Sequence, residues 1–450
     1  MKKLIPLLLL VMALDASAQY AHQNINLLDV FDDSTVTPEP TYAIRYQACW
    51  GWTDGNGKEY GILGSTAGTY ILDVTNPTDI VQVDYIPGRR NNCIWHEYKT
   101  YGNYLYIISD DGGNNSFQIA DLSYLPDSAH VIYDSTDIFI HAHTLFIDGD
   151  KLYVGSVSTT SGFSSMNVYS LADPTHPTLL RRLDQDYNFI SSVHDMFVSN
   201  DTVYASCGYQ GLYIFKFTTD SNRFVLLGAR QDVMSVYNHS SVLSPDHQTL
   251  YVCDEVPDGQ PVQIIDVSNV SNPSLIGTFF SNAGATPHNP ELKDNMLIIG
   301  YYQDGVYIYD VSNPHSPVQL GFFDTFYTNP TGVYPWPTYN GVWSTYAHLP
   351  SGILLAGDTE FGLFTLDISG VTGIETTAVK AGYVYPNPAT GYIRLDMPAT
   401  RVEIMDESGR LLISRENVES SMDVSALSAG MYVVRSYTKN GVSNSKLMIQ

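Results

Sequence analysis

Leu297-Ile-Ile-Gly-Tyr-Tyr-Gln-Asp-Gly-Val-Tyr-Ile-Tyr-Asp-Val-Ser-Asn-Pro314 is the stretch on which the fold turns. Leu297–Gly300 and Val306–Tyr309 are short runs of β-branched and aromatic residues separated by a loop, which is how neighbouring strands read. Asp310-Val-Ser-Asn-Pro314 closes the second run. Asp and Ser bond the backbone locally and Pro cannot continue a ladder, so the chain turns there.

The same module recurs on either side. Its first run reappears as Tyr60–Leu63, Leu105–Ile108, Leu152–Gly155, Val203–Ser206, Leu250–Cys253 and Ile353–Ala356, each after a turn rich in Gly, Asn, Asp or Pro. The closing turn returns as Asp73–Pro77, Asp121–Ser123, Leu171–Pro174, Asp266–Asn269 and Asp367–Ser369. Seven units fit between Tyr42 and Ser369, spaced in the forties to fifties of residues. Four strands per unit at that period predicts an all-β chain whose residues 19–370 form a seven-bladed β-propeller. The last unit, from Trp343, ends after three strands, and Asn24–Val30 is expected to supply its fourth, closing the ring without a long unpaired edge.

Composition agrees with short strands: aromatics are 12%, charged residues only 15%, with 34 Gly and 23 Pro in 450 residues. The net charge of −25 and the absence of a Lys/Arg cluster exclude a nucleic-acid backbone as partner. Lys2 and Lys3, the apolar run Leu4–Leu14 and Ala16-Ser-Ala18 read as a secretory signal peptide over residues 1–18. No stretch is apolar for long enough to form a spanning helix. An exported chain permits disulfides, and Cys49 and Cys93, which precede equivalent strands of adjacent units, are expected to pair. Cys207 and Cys253 lie on neighbouring second strands, a placement that disfavours a bridge.

The segments Tyr70–Val74, Val262–Val267 and Val306–Val311 resemble the LVIVD repeat. With Trp50-Gly-Trp52, Gly64–Val74, Lys99–Asn103, His141–Asp148 and His288-Asn-Pro290, the whole propeller region is similar to the choice-of-anchor B family of exported bacterial proteins. That resemblance implies architecture and an extracellular location, and carries no biochemical activity. After a linker at 371–382, residues 383–450 resemble the type A sorting domain of the type IX secretion system of Bacteroidetes, which are Gram-negative. The matches are Tyr385-Pro-Asn-Pro388, the turn Asp406–Gly409 and Leu427–Tyr432. They imply a small immunoglobulin-like antiparallel sandwich that takes the chain through the periplasm and across the outer membrane. There it engages the type IX machinery and is removed, with release or attachment to surface lipopolysaccharide.

Aligning the units places Trp50, His96, His143, His194, His239, His288 and Trp343 at the start of successive innermost strands. Equivalent positions face one another across a propeller channel, so the five imidazoles are expected to converge. Three readings of that set stay open: bonds to neighbouring backbone, a ligand contact without metal, or a divalent transition metal such as zinc, copper, iron or nickel. Under the metal reading Glu97, Asp195 and Glu291 are candidates to orient the rings. Trp50 and Trp343 are read as an aromatic wall of the channel mouth. His141-Ala-His143 has a chelating spacing, and Asp110–Asn115 has the composition, without the ligand order, of a calcium loop. Phe326, Tyr327, Tyr334, Trp336 and Tyr339 make the stretch Thr325–Asn340 a candidate lid. The expected function is an exported module that binds an extracellular glycan, peptide or protein; the alternative is a hydrolytic or oxidative metalloenzyme using the histidines.

Overall fold

Five aspartates do the same work in five places. Asp73, Asp121, Asp266, Asp310 and Asp367 each accept, on a side-chain oxygen, the backbone N–H two residues on, at 2.8–2.9 Å. That bond turns the chain at the end of the third strand in five of the seven units, and in four of them leads it back along the fourth. The computed structural model in which these turns are seen describes residues 20–111, 113, 117–231, 236–326, 339–371, 384–385, 387–395, 398–406, 410–438 and 441–450. The expected signal peptide and the residues 372–382 of the expected linker lie outside the described residues. So do Tyr327, Tyr334 and Trp336 of the candidate lid.

The chain divides into two units, Met1–Thr372 and Gly373–Gln450. Among the described residues of the first unit there are seven antiparallel sheets, five of them built wholly from strands consecutive in sequence. Their first strands are Tyr46–Thr53, His96–Tyr101, Thr144–Asp148, Asp195–Ser199, Tyr237–Leu243, His288–Lys293 and Val342–Tyr346. The seventh sheet takes its fourth strand from the N-terminal side: Asn26–Phe31 pairs with Gly362–Asp367. His22–Gln23 adds a fifth strand to the sixth sheet, against Val318–Phe323. In all seven sheets the pairing of the third and fourth strands slips register once, which adds twist to the outer edge.

Each first strand packs on the first strands of its two neighbours, and the circuit closes because Val342–Tyr346 packs on Tyr46–Thr53. The apolar core follows the same circuit. Ile62 and Ile71 of the first sheet share a buried cluster with Leu105 and Ile107 of the second. Corresponding clusters join each later pair, and the last joins Leu355 and Leu363 of the seventh sheet to Leu63 and Leu72 of the first. Every sheet is therefore buried on both faces, and its middle strands read as continuous apolar runs. Each Ile, Leu or Val so buried contributes about 1.5–3 kcal/mol. What this arrangement leaves at its centre is a set of strand starts facing a common axis.

The second unit holds two sheets. Val384–Tyr385, Tyr392–Leu395 and Ser421–Asp423 form one, and Ala399–Asp406, Leu411–Val418, Gly430–Thr438 and Gly441–Ile449 the other. Ile393 and Met422 of the smaller sheet share one core with Val402, Ile404, Val434 and Leu447 of the larger. Asn387 fastens the start of the unit to its end: its side chain donates to the Lys446 carbonyl at 2.8 Å and accepts the Met448 N–H at 2.9 Å. The expected turn at Asp406–Gly409 lies partly outside the described residues.

Candidate metal centre

Four of the five histidines come together. Ring centroids run His143–His194 at 4.0 Å, His194–His239 at 4.4 Å and His239–His288 at 4.4 Å, and Trp343 continues the row at 4.5 Å from His288. All four line one cavity of 270 Å³ at the centre of the seven sheets, with Trp50 and Trp343 also in its wall. The reason is topological: each of the four histidines and Trp343 stands at or near the start of a first strand, and the first strands surround the cavity.

His96 is the exception. It opens its strand as expected, yet its ring is buried between the first two sheets, with Nδ1 3.0 Å from Gln47 Oε1. It is absent from the cavity wall, and burial alone pulls its pKa down to about 4. Trp50 also departs from the alignment. It is the fifth residue of its strand, not the first, because the first strand of sheet one carries a register slip between Tyr46 and Cys49. Its indole N–H donates to Thr100 Oγ1 at 3.0 Å.

The rings are held by groups other than those expected. His143 Nδ1 lies 2.6 Å from Asp110 Oδ2, His194 Nδ1 is 3.3 Å from the His239 carbonyl, and His288 Nδ1 is 2.6 Å from the Trp343 carbonyl. A carbonyl only accepts, so in His194 and His288 Nδ1 carries the proton and Nε2 presents a bare lone pair. Glu97, Asp195 and Glu291 instead face the cavity. Asp195 accepts from Thr144 Oγ1 at 2.8 Å, and Glu291 accepts from the Ala347 N–H at 3.3 Å.

The protonation states divide the row. Burial, aided by the charge of neighbouring histidines, pushes His194 and His239 well below the ordinary imidazole range. Burial takes His288 down to about 3 against the opposing pull of the Trp343 carbonyl. His143 goes the other way: burial would lower it, but the hydrogen bond and charge of Asp110 outweigh that and raise it. Neutral imidazoles are ligands, and burial keeps His194, His239 and His288 neutral and competent as donors.

Glu255 completes the group, and the sequence alignment did not reveal it. One ligand atom each from His194, His239 and Glu255 lie within 4.8 Å of one another. Glu255 occupies a bulge in Thr249–Val256, between the residues paired to Tyr237 and Asn238, and the bulge turns its carboxylate toward His239, at 3.7 Å from Nε2. Tyr302 donates to its other oxygen at 2.7 Å. Burial raises the Glu255 pKa, and the Tyr302 bond opposes the rise. Asp110, Glu255 and Tyr302 share one signal: all lie at or just beyond the end of a second strand, which antiparallel pairing puts at the same mouth as the start of the first. On the described side of the candidate lid, Tyr339 stacks among Tyr42, Trp95 and Tyr302, and Trp95 reaches Trp343 at 5.3 Å, so the mouth is walled with aromatic rings.

The other candidates serve elsewhere. The structure does not join Cys49 to Cys93: Cys49 Sγ turns to the Ser344 carbonyl at 3.3 Å and Cys93 Sγ to that of Arg90 at 3.7 Å, on opposite sides of the first sheet. Asp111 caps Ile94, Trp95 and Ser109, and Asp110 holds His143, so the expected calcium loop spends its carboxylates on the protein; residues 112 and 114–116 lie outside the described residues. His141 does not line the cavity.

Two family models match the chain: the secretion system C-terminal sorting domain over residues 383–450, and the LVIVD repeat over 251–280 and 292–325. The chain thus carries a type IX sorting domain and an LVIVD-repeat region, and is exported through the type IX translocon. A search of curated proteins finds no match. Among solved structures, the β-propeller domain of Cps50 (Swd1) from Myceliophteria thermophila is similar at 11% identity, over 71% of this chain and 96% of that one, with a TM-score of 0.48.

Proposed function

We propose that the chain is an exported seven-bladed β-propeller, followed by an immunoglobulin-like sorting domain, whose channel mouth binds a divalent transition metal between His194, His239 and Glu255. The observation that carries the reading is the buried approach of those three donor atoms, all within 4.8 Å. The donor set fits. Two neutral imidazoles and one carboxylate are a common ligand set for zinc and non-haem iron, and such a set leaves coordination positions open. An N–H held by a backbone carbonyl, as in His194, is the usual way to orient a metal-binding ring. His239 Nδ1 and His288 Nε2 are buried without a hydrogen-bond partner, which costs stability unless something else satisfies them.

When bound, the metal supplies a Lewis acid facing the cavity. The chain's own residues do the rest: Tyr302 fixes the Glu255 carboxylate, Asp110 orients the His143 ring, and the Trp95, Tyr339 and Trp343 rings line the mouth. The module thereby presents a metal in an aromatic mouth to an extracellular ligand.

The test is metal content of the exported protein, with His194→Ala, His239→Ala and Glu255→Gln. One tightly held equivalent, lost in each variant while the circular dichroism is unchanged, is the expected result. A protein that retains no metal after incubation with zinc, ferrous or cupric ions would overturn the reading.

A further inference from the structure

One and three residues beyond the histidine row, roughly 3 to 10 Å farther along the first strands, the character of the cavity changes. Glu97, Asp195 and Glu291 face it, and Lys99 is the single fixed cation among them. Lys99 is already committed: its ammonium lies 4.2 Å over the Trp50 ring and donates to the Tyr98 carbonyl at 3.1 Å. His348 Nε2 lies 3.6 Å from Glu291 and His143 shares the wall, but both are titratable rings, so the three carboxyl groups face a single permanent cation.

Two further observations are independent of the acids. Ser241 Oγ lines this cavity, is buried at 5% exposure and has no hydrogen-bond partner. His288, at 0% exposure, also lines it, and its Nε2 has none. Because His288 Nδ1 donates to Trp343, that Nε2 can only accept. Glu291 Oε1 is a third buried acceptor, with only the Thr345 hydroxyl beside it. The Trp343 indole N–H points toward the Glu97 carboxyl in the same wall. A wall this rich in unsatisfied acceptors is complementary to a ligand that brings N–H donors and positive charge. Phe146 and Phe197, with rings 5.2 Å apart, supply an apolar side. His348 also lines the cavity, and its side chain is 48% exposed, so the chamber meets solvent there.

We infer that this chamber binds a small organic cation, a guanidinium or primary ammonium head on a short apolar stem, with the head between Glu97 and Glu291 and the stem against Phe146 and Phe197. A volume of 270 Å³ accommodates a ligand of this size. His194 and His239 line the same cavity, but the head group is held by side chains other than the three metal ligands. Burial raises the pKa of Glu97 and of Glu291, as expected of carboxyls awaiting a counter-charge.

The experiment is calorimetric titration of the metal-stripped full chain with ethylguanidinium and with its neutral isostere, N-ethylurea. The expected result is saturable 1:1 binding of the cation at least tenfold tighter than of the urea. Glu97→Gln and Glu291→Gln are each expected to weaken it about tenfold. A Gly-Arg-Gly peptide binding as well as the free cation identifies a side chain as the source; binding of the free cation alone identifies a small molecule. Equal binding of cation and urea, or no saturable binding of either, overturns the inference. Since that comparison uses the native protein, it stands even if a variant does not fold.

Discussion

Asp110 Oδ2 holds His143 Nδ1 at 2.6 Å, across 33 residues and from one sheet to the next. This contact raises the proton affinity of His143, whereas burial lowers that of His194, His239 and His288. His143→Gln is therefore expected to keep the bound metal, whereas His239→Ala loses it. Equal loss of metal in both variants, measured by elemental analysis, would mean that the row acts as one four-histidine site.

Closure of the circuit of sheets makes a prediction about stability. Ile25, 0% exposed, sits beside the N-terminal strand in the cluster that joins the sixth and seventh sheets, with Phe323, Phe364 and Val371. Ile25→Ala is expected to cost about 2–5 kcal/mol in denaturant unfolding, although the residue precedes the first unit. A loss under about 0.5 kcal/mol, the size of an ordinary surface change, would show that the strand is not part of the closure.

Gly228 marks the tightest approach between sheets. A Cβ built there meets the Val270 carbonyl oxygen at 1.8 Å, and backbone cannot give way as a side chain can. Gly228→Ala is expected to destabilise by about 3 kcal/mol or more. Gly55→Ala, with nothing within 4 Å, is the control and is expected to change stability by less than about 0.5 kcal/mol.

Much of this was legible in the sequence because it is repeated. Alternating strands and the Asp-x-Ser turns follow from local chemistry, and seven copies make the period plain. Asn26–Phe31 pairs where the missing fourth strand of the last unit required it. What a repeat alignment cannot carry is an insertion. The register slip near Tyr46 moves Trp50 out of line with the histidines, and places Gln47 where it captures His96. Glu255 escaped for the same reason: a bulge aims it, and a bulge leaves no mark in the apolar pattern. The disulfide expected from sequence spacing failed because spacing does not fix which way a thiol points.

Glu360 gives a pH dependence of known sign. Burial and then the charge of Asp358 raise its pKa from 4.5 to about 7, against the pull of Arg45. The folded state therefore holds this proton more tightly than the unfolded one, so the group's contribution to stability falls as pH rises from about 4.5 to 7. Glu360→Gln removes that loss. The variant is expected to match the native protein near pH 4.5 and to be the more stable of the two at pH 8. A difference that does not grow across this window, in denaturant titrations at several pH values, would contradict it.

The central claim is where the metal sits. Crystals of the exported protein grown with zinc and measured on both sides of the zinc absorption edge give its position directly. The account predicts one strong anomalous peak within about 2.0–2.2 Å of a nitrogen of His194, a nitrogen of His239 and a carboxylate oxygen of Glu255. A peak coordinated elsewhere, or no peak at that mouth in a crystal soaked with zinc, would contradict it.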